Sequence, residues 1–289
     1  MNDKLLVSIC CITYNHEKFI KQCLDGFLMQ QTNFEFEILI HDDASTDGTV
    51  AIISEYENKY PNIIKPIYQK ENQFSQGINP DFTYNYPRAK GKYIAICEGD
   101  DYWTDPLKLQ KQVDFLEANT SVVICGTQVK KLTKDKVLKN KSYKNFKGKN
   151  KLFFSRKDVL KHNPFDTCSV VFKNIKIPKN LFKNYNASDW VLYLFLLKKG
   201  KGCILNICTA VYNYHGNGIA SSLTHTTYLQ KRLKDILIFV TDNKKDKKII
   251  KKTGLFIIWN YVKQAIRFKK EFIMALHYNR KLIIEFVLN

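Results

Sequence analysis

The sequence predicts an α/β protein with a mainly parallel central sheet flanked by helices, followed by a C-terminal helical extension. Three observations carry that prediction. Short apolar runs alternate with helical patterns from residue 5 to residue 126, the β-α-β-α rhythm that builds a parallel sheet covered on both faces. Tyr93-Ile-Ala-Ile-Cys97 is apolar throughout and has the length of a buried strand. The acidic stretch Glu98-Gly-Asp-Asp-Tyr-Trp103 follows directly, at the carboxyl end of that strand, where open α/β sheets bind their ligands.

Each element follows from its residues. Residues 5–12 form a first strand; the run is too short for the apolar core and cleavage site of a leader segment. A helix over residues 17–30, a strand over 36–40, a helix over 47–60 and a strand over 63–68 come next. A short helix over residues 80–89 precedes the strand at 93–97. Asp105-Pro106 supplies an N-cap and a proline at the first helical position, opening a helix to about residue 117, and residues 121–126 make the next strand. From residue 130 to residue 151 lysine recurs at nearly every second or third position among Asn, Ser and Gly, the composition of a solvated, mobile loop or of an anion-binding surface, with the loop favoured. A helix start at residues 155–158 and a strand at 168–172 follow. Residues 186–200 combine an N-cap candidate, an apolar body, a cationic last turn and Gly200, which together spell a helix. Strands at 203–208 and 210–214 lead to residues 225–289, where helical patterns carry Lys and Arg on one side and Ile, Phe, Leu and Trp on the other. That tail reads equally as an amphipathic pair packed on the domain or as an attachment to an anionic membrane surface.

The whole-chain quantities narrow the class. At 289 residues, 45% hydrophobic and 13% aromatic, the chain buries a sizeable core and is not disordered. A net charge of +19 favours anionic partners without choosing among nucleotides, acidic glycans, lipid heads or nucleic acid. The eight cysteines include no CxxC pair and sit mostly in apolar runs, which suits free thiols in a reducing compartment and points to a cytoplasmic protein. No apolar run approaches the roughly 18 residues that span a bilayer.

The polar residues at the strand ends carry the chemistry. The first strand ends in Thr13-Tyr14-Asn15 and the second in His41-Asp42-Asp43, and in a parallel sheet both loops leave on the same edge as Glu98 to Asp101. An aromatic on one loop and a carboxylate on the next can receive a planar base, the rings stacking and the carboxylate accepting an imide N–H such as uracil offers. Taken singly, Asp42 and Asp43 also suit a turn and Asp47 a helix cap. Glu98, Asp100 and Asp101 repel one another unless a cation holds them, so they read as a metal site; the competing reading is an acidic surface turn. Neither GxGxxG nor GxxxxGK[ST] is present, so a diphosphate would be held through a divalent cation.

Ser8-Ile-Cys-Cys-Ile-Thr-Tyr-Asn15, Ile40-His-Asp-Asp-Ala-Ser-Thr-Asp-Gly-Thr49 and Glu98-Gly-Asp-Asp-Tyr-Trp103 stand in the order and spacing of the family 2 glycosyltransferases with the GT-A fold. The chain resembles that family over residues 5–126 and more weakly to residue 222. The resemblance implies an inverting transferase with a UDP-sugar donor and Mn2+ or Mg2+ as cofactor, acting on a glycan or lipid-linked glycan acceptor in bacterial capsule, lipopolysaccharide or other surface-glycan synthesis. It makes residues 1–222 the catalytic domain, with a nucleotide-binding half at 1–126 and an acceptor half at 127–222, and leaves 223–289 as a basic helical region for peripheral membrane association. Carried over by position, it implies that Tyr14 stacks on the base beside Thr13, that Asp42 and Asp43 face the base, and that Arg88 approaches the diphosphate. Asp100 and Asp101 fall on the metal and ribose-diphosphate positions of the DXD motif, with Glu98 where the family often has its first Asp. Asp189 falls on the catalytic base, which suits a carboxylate near an acceptor hydroxyl, and His215 on a third metal or diphosphate ligand.

Two other readings compete. A non-catalytic polyanion binder would use the lysines of 130–151 and the basic tail, but basic strands interleaved with aromatics, as a single-strand nucleic-acid binder carries, are missing. A nucleotidyltransferase would take a triphosphate on the same acids, and the glycine-rich loop that cradles one is missing too.

Overall fold

A computed structural model describes residues 5–133, 136–139, 146–178, 181–182 and 185–215, with residues 227, 231–232, 234–236 and 238–239. The helices expected over 223–289 otherwise lie outside the described residues. The chain divides into two compact units, Met1–Ser155 with Pro164–Lys179 and Leu196–His215, and Arg156–Asn163 with Asn180–Phe195 and Gly216–Asn289.

The first unit is built on one ten-stranded sheet. Strands β1 (Leu5–Thr13), β2 (Glu35–Asp42), β3 (Ile64–Tyr68) and β4 (Tyr93–Ile96) run in the order β3-β2-β1-β4, every neighbour parallel. This is the parallel half expected from the sequence. Beyond β4 the sheet is mixed. Strand β9 (Val171–Lys173) runs antiparallel between β4 and β6 (Val122–Thr133), and β10 (Lys201–Asn213) runs parallel to β6. Short antiparallel strands β5 (Tyr102–Trp103) and β8 (Lys151–Phe154) complete β10, and β7 (Lys136–Lys139) completes β6.

The helices cover the sheet with the faces their spacing dictates. Helix α1 (Ile20–Leu28) buries Ile20, Cys23, Leu24 and Phe27, the i, i+3, i+4, i+7 stripe, worth on the order of 2 kcal/mol for each large apolar side chain taken from water. Helix α4 (Lys108–Ala118) does the same with Leu109, Gln112, Val113 and Leu116. Helix α2 (Thr49–Lys59) buries Ile53 and Tyr56. The short helix expected at 80–89 is a wide π-type turn over Asp81–Asn85 running into α3 (Tyr86–Arg88). In the second unit α5 (Arg156–Lys161) and α6 (Ser188–Leu196) occupy the two expected helical stretches.

Three expectations are corrected. The lysine-rich stretch does not begin as a loop: β6 continues to Thr133 and turns back as β7, with Lys130 opposite Lys139. The reason is a partner, since β10 lies beside β6 from Val122 to Leu132 and its backbone groups hold the strand extended whatever the side chains. The two strands expected at 203–208 and 210–214 are the single β10, whose irregular register at Leu205/Cys208 and Cys208/Ala210 absorbs the break. Asp105 does not cap α4 directly; its carboxylate accepts the Leu107 N–H (2.9 Å) in the turn before the helix. All eight cysteines are free, and seven are buried. Among the described residues no helix is long and apolar enough to cross a membrane.

At the amino end of the parallel strands, Glu37 ties three segments together. Its carboxylate accepts the Ser8 hydroxyl (2.8 Å), the Lys65 ammonium (2.7 Å) and the Lys90 N–H (2.9 Å), while the Gly91 N–H donates to Ser8 Oγ (2.8 Å). Burial alone would raise the Glu37 carboxyl, but these donors outweigh it and hold it below its ordinary value. Gly91 passes so close to β1 that a Cβ there would stand 2.5 Å from the Ser8 nitrogen. Gly91→Ala is therefore expected to destabilise the protein by about 1–3 kcal/mol, the usual range for overpacking, and to lower the melting temperature measured by calorimetry.

Candidate functional site

Chain direction places the site before any side chain does. From β1 the chain steps to β2 and β3 on one side and then returns to β4 on the other, so the sheet's winding reverses between β1 and β4. At such a reversal the connections leave in opposite directions and open a crevice beyond the carboxyl ends of the strands. The strand exits remain stitched together: the Gly99 N–H donates to the Ile12 carbonyl (2.9 Å), Cys97 to Cys10 (3.2 Å) and Asp43 to Thr13 (2.9 Å). Thr13-Tyr14, Asp42-Asp43 and Glu98 to Asp101 consequently share one edge of the first unit.

The acidic turn is built tightly. The Glu98 carbonyl accepts the Asp101 N–H (3.0 Å) and the thiols of Cys23 (3.5 Å) and Cys97 (3.7 Å). Gly99 is required by what surrounds it, because a Cβ would stand 2.8 Å from Thr13 Oγ1 and 3.0 Å from His16 Nδ1. Asp101 is buried; one carboxylate oxygen accepts the Asn213 N–H (2.8 Å), which pins the end of β10, and the other has no partner. Asp100 faces two imidazoles: His215 Nε2 lies 3.0 Å and His16 Nε2 3.8 Å from its Oδ2. Phe19 fixes both rings, its own ring 4.7 Å from His215 and 6.3 Å from His16.

The electrostatics follow from the crowding. Burial pushes the Glu98 carboxyl up to about 8, with the Asp100 charge adding to it, and burial followed by Glu98 and Asp100 drives Asp101 well above the ordinary carboxylate range. Burial lowers His16, against the opposing pull of Asp100. Buried side-chain atoms without a partner concentrate here: Thr13 Oγ1, His16 Nδ1, Glu98 Oε2, Asp101 Oδ2 and His215 Nδ1. Orphaned buried polar atoms are rare in folded proteins, and each calls for a partner such as water, an ion or a ligand. The donor set, carboxylates with imidazoles, is of a kind that suits a divalent cation, and Asp100 and His215 are the residues that could take part in holding one. Among the described residues, no three of His, Cys, Asp and Glu form a ready-made cage.

The other loops stand at the same strand ends. Tyr14 is 44% exposed, free to stack. Asp42 accepts the Ser45 N–H (3.0 Å) and hydroxyl (2.5 Å), and the Asn15 N–H donates to the same hydroxyl (2.9 Å), so the β1 and β2 exits are knitted together. Asp43 is buried and accepts the N–H groups of Gln73 (2.8 Å) and Phe74 (3.0 Å), holding the segment after β3 against the strand ends. His41 stacks on Tyr84 at 4.8 Å, and the Tyr84 hydroxyl donates to Gln73 (2.8 Å), bracing that segment from beneath. Asp47 is not the N-cap of α2, a position Gly48 holds; its carboxylate accepts the N–H groups of Thr49 (3.0 Å) and Glu17 (3.1 Å) in the turn that leads into the helix. The Arg88 guanidinium is taken up by the Ile40 carbonyl (2.8 Å) and the Asn85 side chain (3.0 Å), not by the acidic turn.

The second unit holds Asp189 in the first turn of α6. Its Oδ2 accepts the Asn163 amide (3.1 Å), and burial raises its carboxyl. The N–H groups of Asn186 (2.7 Å) and Ala187 (2.9 Å), ahead of α6, are capped by Asp235. His16, Asn163 and Asp235 escape the sequence reading. His16 had a local signal, an imidazole two residues after Tyr14 in the same loop; Asp235, far along the chain among lysines, had none.

Comparison with known proteins agrees with this architecture. The profile described as Glycosyl transferase family 2 matches residues 8–176. An uncharacterized protein of Mycobacterium tuberculosis is 36% identical over 226 residues, 78% of this chain and 62% of the relative, so the chain spans less than two thirds of that protein. An Escherichia coli relative, UDP-Glc:alpha-D-GlcNAc-diphosphoundecaprenol beta-1,3-glucosyltransferase, is 27% identical over 223 residues, covering 75% of this chain and 80% of its own. The mannosyltransferase from Pyrobaculum calidifontis, solved with GDP-Man and Mn2+, superposes with a TM-score of 0.60 at 14% identity, covering 92% of this chain and 76% of the other. At that identity the likeness is one of fold, and the fold is of the GT-A type.

The Asp43 contacts yield a direct test. A hydrogen bond to a charged acceptor is worth about 1.5–3 kcal/mol, so in Asp43→Ala the amides of Gln73 and Phe74 should exchange with deuterium about tenfold faster or more, while those of β1 keep their protection.

Proposed function

Because the chain belongs to glycosyl transferase family 2, we propose that it is a metal-dependent, inverting glycosyltransferase using a nucleotide-sugar donor, with UDP as the nucleotide. One observation carries the reading: Tyr14, Asp43 and the Asp100–His215 pair lie on one sheet edge, at the point where the winding reverses. Tyr14 offers the face on which the base stacks, and Thr13 and Asp42 frame the same loop junction. Asp43 retains lone pairs beyond its two backbone contacts with which to accept an imide N–H. Asp100, Asp101 and His215 would hold Mn2+ or Mg2+, which supplies charge neutralisation as the diphosphate leaves. The acceptor hydroxyl attacks the anomeric carbon on the face away from the nucleotide, through an oxocarbenium-like transition state, and its proton passes to Asp189. A raised carboxyl is a stronger base once ionised, which favours Asp189 for that task.

The acceptor is proposed to be a glycan or lipid-linked glycan of a bacterial surface polymer. The E. coli relative named for a diphosphoundecaprenol acceptor supports this, as does a net charge of +19, which draws a diphosphate acceptor and the inner face of an anionic membrane alike.

Calorimetry with UDP and Mn2+ beside a transfer assay tests both halves. Asp100→Asn should weaken Mn2+-dependent UDP binding at least about tenfold, on the scale of losing a metal-site group. Asp189→Asn should leave UDP binding unchanged and reduce transfer about 100-fold or more. Wild-type UDP affinity in Asp100→Asn would overturn the donor site, and undiminished transfer in Asp189→Asn would overturn the base.

A further inference from the structure

The surroundings of Asp189 in the second unit include a buried acid and a stacked guanidinium that the proposed chemistry does not use. Residues 231–232, 234–236 and 238–239 are helical, and Arg232, Asp235 and Phe239 have the i, i+3, i+7 spacing that puts them on one face. All three meet the start of α6. Asp235 is fully buried; one oxygen accepts the Asn186 N–H (2.7 Å) and side-chain amide (2.9 Å), and the other accepts the Ala187 N–H (2.9 Å). The Arg232 guanidinium lies 3.9 Å from the centre of the Trp190 ring, and the Phe239 ring lies 5.3 Å from it. From the α5 side, the Val159 carbonyl accepts the Trp190 Nε1–H (2.9 Å), and the Asn163 amide donates to Asp189 Oδ2 (3.1 Å). Residues 186, 187 and 190 are therefore all held, and Asp189 sits between them half-buried, with part of its surface open to a reacting hydroxyl.

A helix start is ordinarily capped by a Ser, Thr, Asn or Asp beside it in the chain. Here Asn186 gives its own amide to Asp235, an acid 49 residues further along. We infer that Arg232 and Asp235 are positioning residues for Asp189: their segment fixes the turn that carries the carboxylate, and their opposite charges balance around it. The inference rests on Asp189 as the base and adds the residues that hold it. Burial is the largest influence on the Asp189 carboxyl and raises it; the Arg232 charge opposes that rise and the Asp235 charge adds to it. Asp189 must be ionised to take a proton, so transfer is lost as pH falls through its titration. Removing the cation should move that loss to higher pH, and removing the neighbouring anion should move it to lower pH.

The test is titration of the Asp189 carboxyl in the full chain without substrate. Carbon-13 NMR of aspartate-labelled protein follows it, the Asp189 resonance being the one missing from Asp189→Asn. Its midpoint should rise in Arg232→Gln and fall in Asp235→Asn, and the acid limb of the transfer rate should move with each. Asp235→Ala, which also frees the Asn186 and Ala187 N–H groups, should lower kcat on the order of 100-fold, the scale of a misplacement of about 1 Å, with UDP binding unchanged. Asp235→Asn guards against a folding defect, since it keeps the shape and one acceptor oxygen, and melting temperatures are taken for each variant. Midpoints that stay put, or move the other way, in Arg232→Gln and Asp235→Asn overturn the inference even where kcat falls, because lost packing alone slows transfer without moving the titration. Midpoints that move as stated while Asp189→Asn transfers at the wild-type rate overturn the base itself, and with it any bearing of Arg232 and Asp235 on the reaction.

Discussion

Three acids held largely out of water at one turn are the constraint that organises this molecule. Burial raises the proton affinity of Glu98 and Asp101, and the neighbouring carboxylates add to it. Among the described residues their ion-pair partners are imidazoles alone, His16 and His215, both on Asp100. A fold that needed only stability would exchange such a turn for apolar residues or open it to solvent, since burying charge without a matched partner is unfavourable. Its cost is absorbed by the packing around it: Cys23 and Cys97 donate to the Glu98 carbonyl, Phe27 supports Trp103 at 4.8 Å, and Asn213 holds Asp101. The acids are displayed at the mouth of the crevice because the core beneath them is stable enough to keep them there.

Around that turn, chemically similar side chains have been given different work by the donors nearest to them. Asp47 closes the turn that leads into α2, Asp42 joins the β1 and β2 exits through Ser45, and Asp43 secures the segment after β3. Asp100 alone meets groups that can themselves ligate a cation. Residue type sets what a carboxylate can do, and the N–H groups and rings within about 3 Å decide which of those things it does. The same holds for Arg88, whose guanidinium braces β2 through the Ile40 carbonyl.

Much of the architecture was legible because it rests on local periodicity. Apolar spacing fixes the buried faces of α1 and α4, and unbroken apolar runs mark β1 and β4 as strands covered on both sides. The legible parts of the site are those announced by residues adjacent in the chain, the Thr13-Tyr14, Asp42-Asp43 and Asp100-Asp101 pairs. The β6–β7 hairpin was not legible, because lysine-rich composition argues for a loop and only the neighbouring β10 ladder overrides it. His16 was passed over because its one local sign, a place two residues after Tyr14 in the same loop, does not say that Asp100 lies 3.8 Å away.

By itself, then, the sequence determined the α/β class, the placing of the acids and the aromatic at strand ends, and the family to which those motifs belong. Those features are encoded within a few residues of one another, at the range where propensity, periodicity and capping act. The tertiary structure decided which of the acids meets imidazole, that Asp43 is tied to the segment after β3 and Asp101 to β10, and that His16 shares the turn with His215. These depend on segments about 30 to 115 residues apart being brought to one sheet edge by the order of the strands, and that order comes from the packing of the whole sheet and not from any stretch of chain.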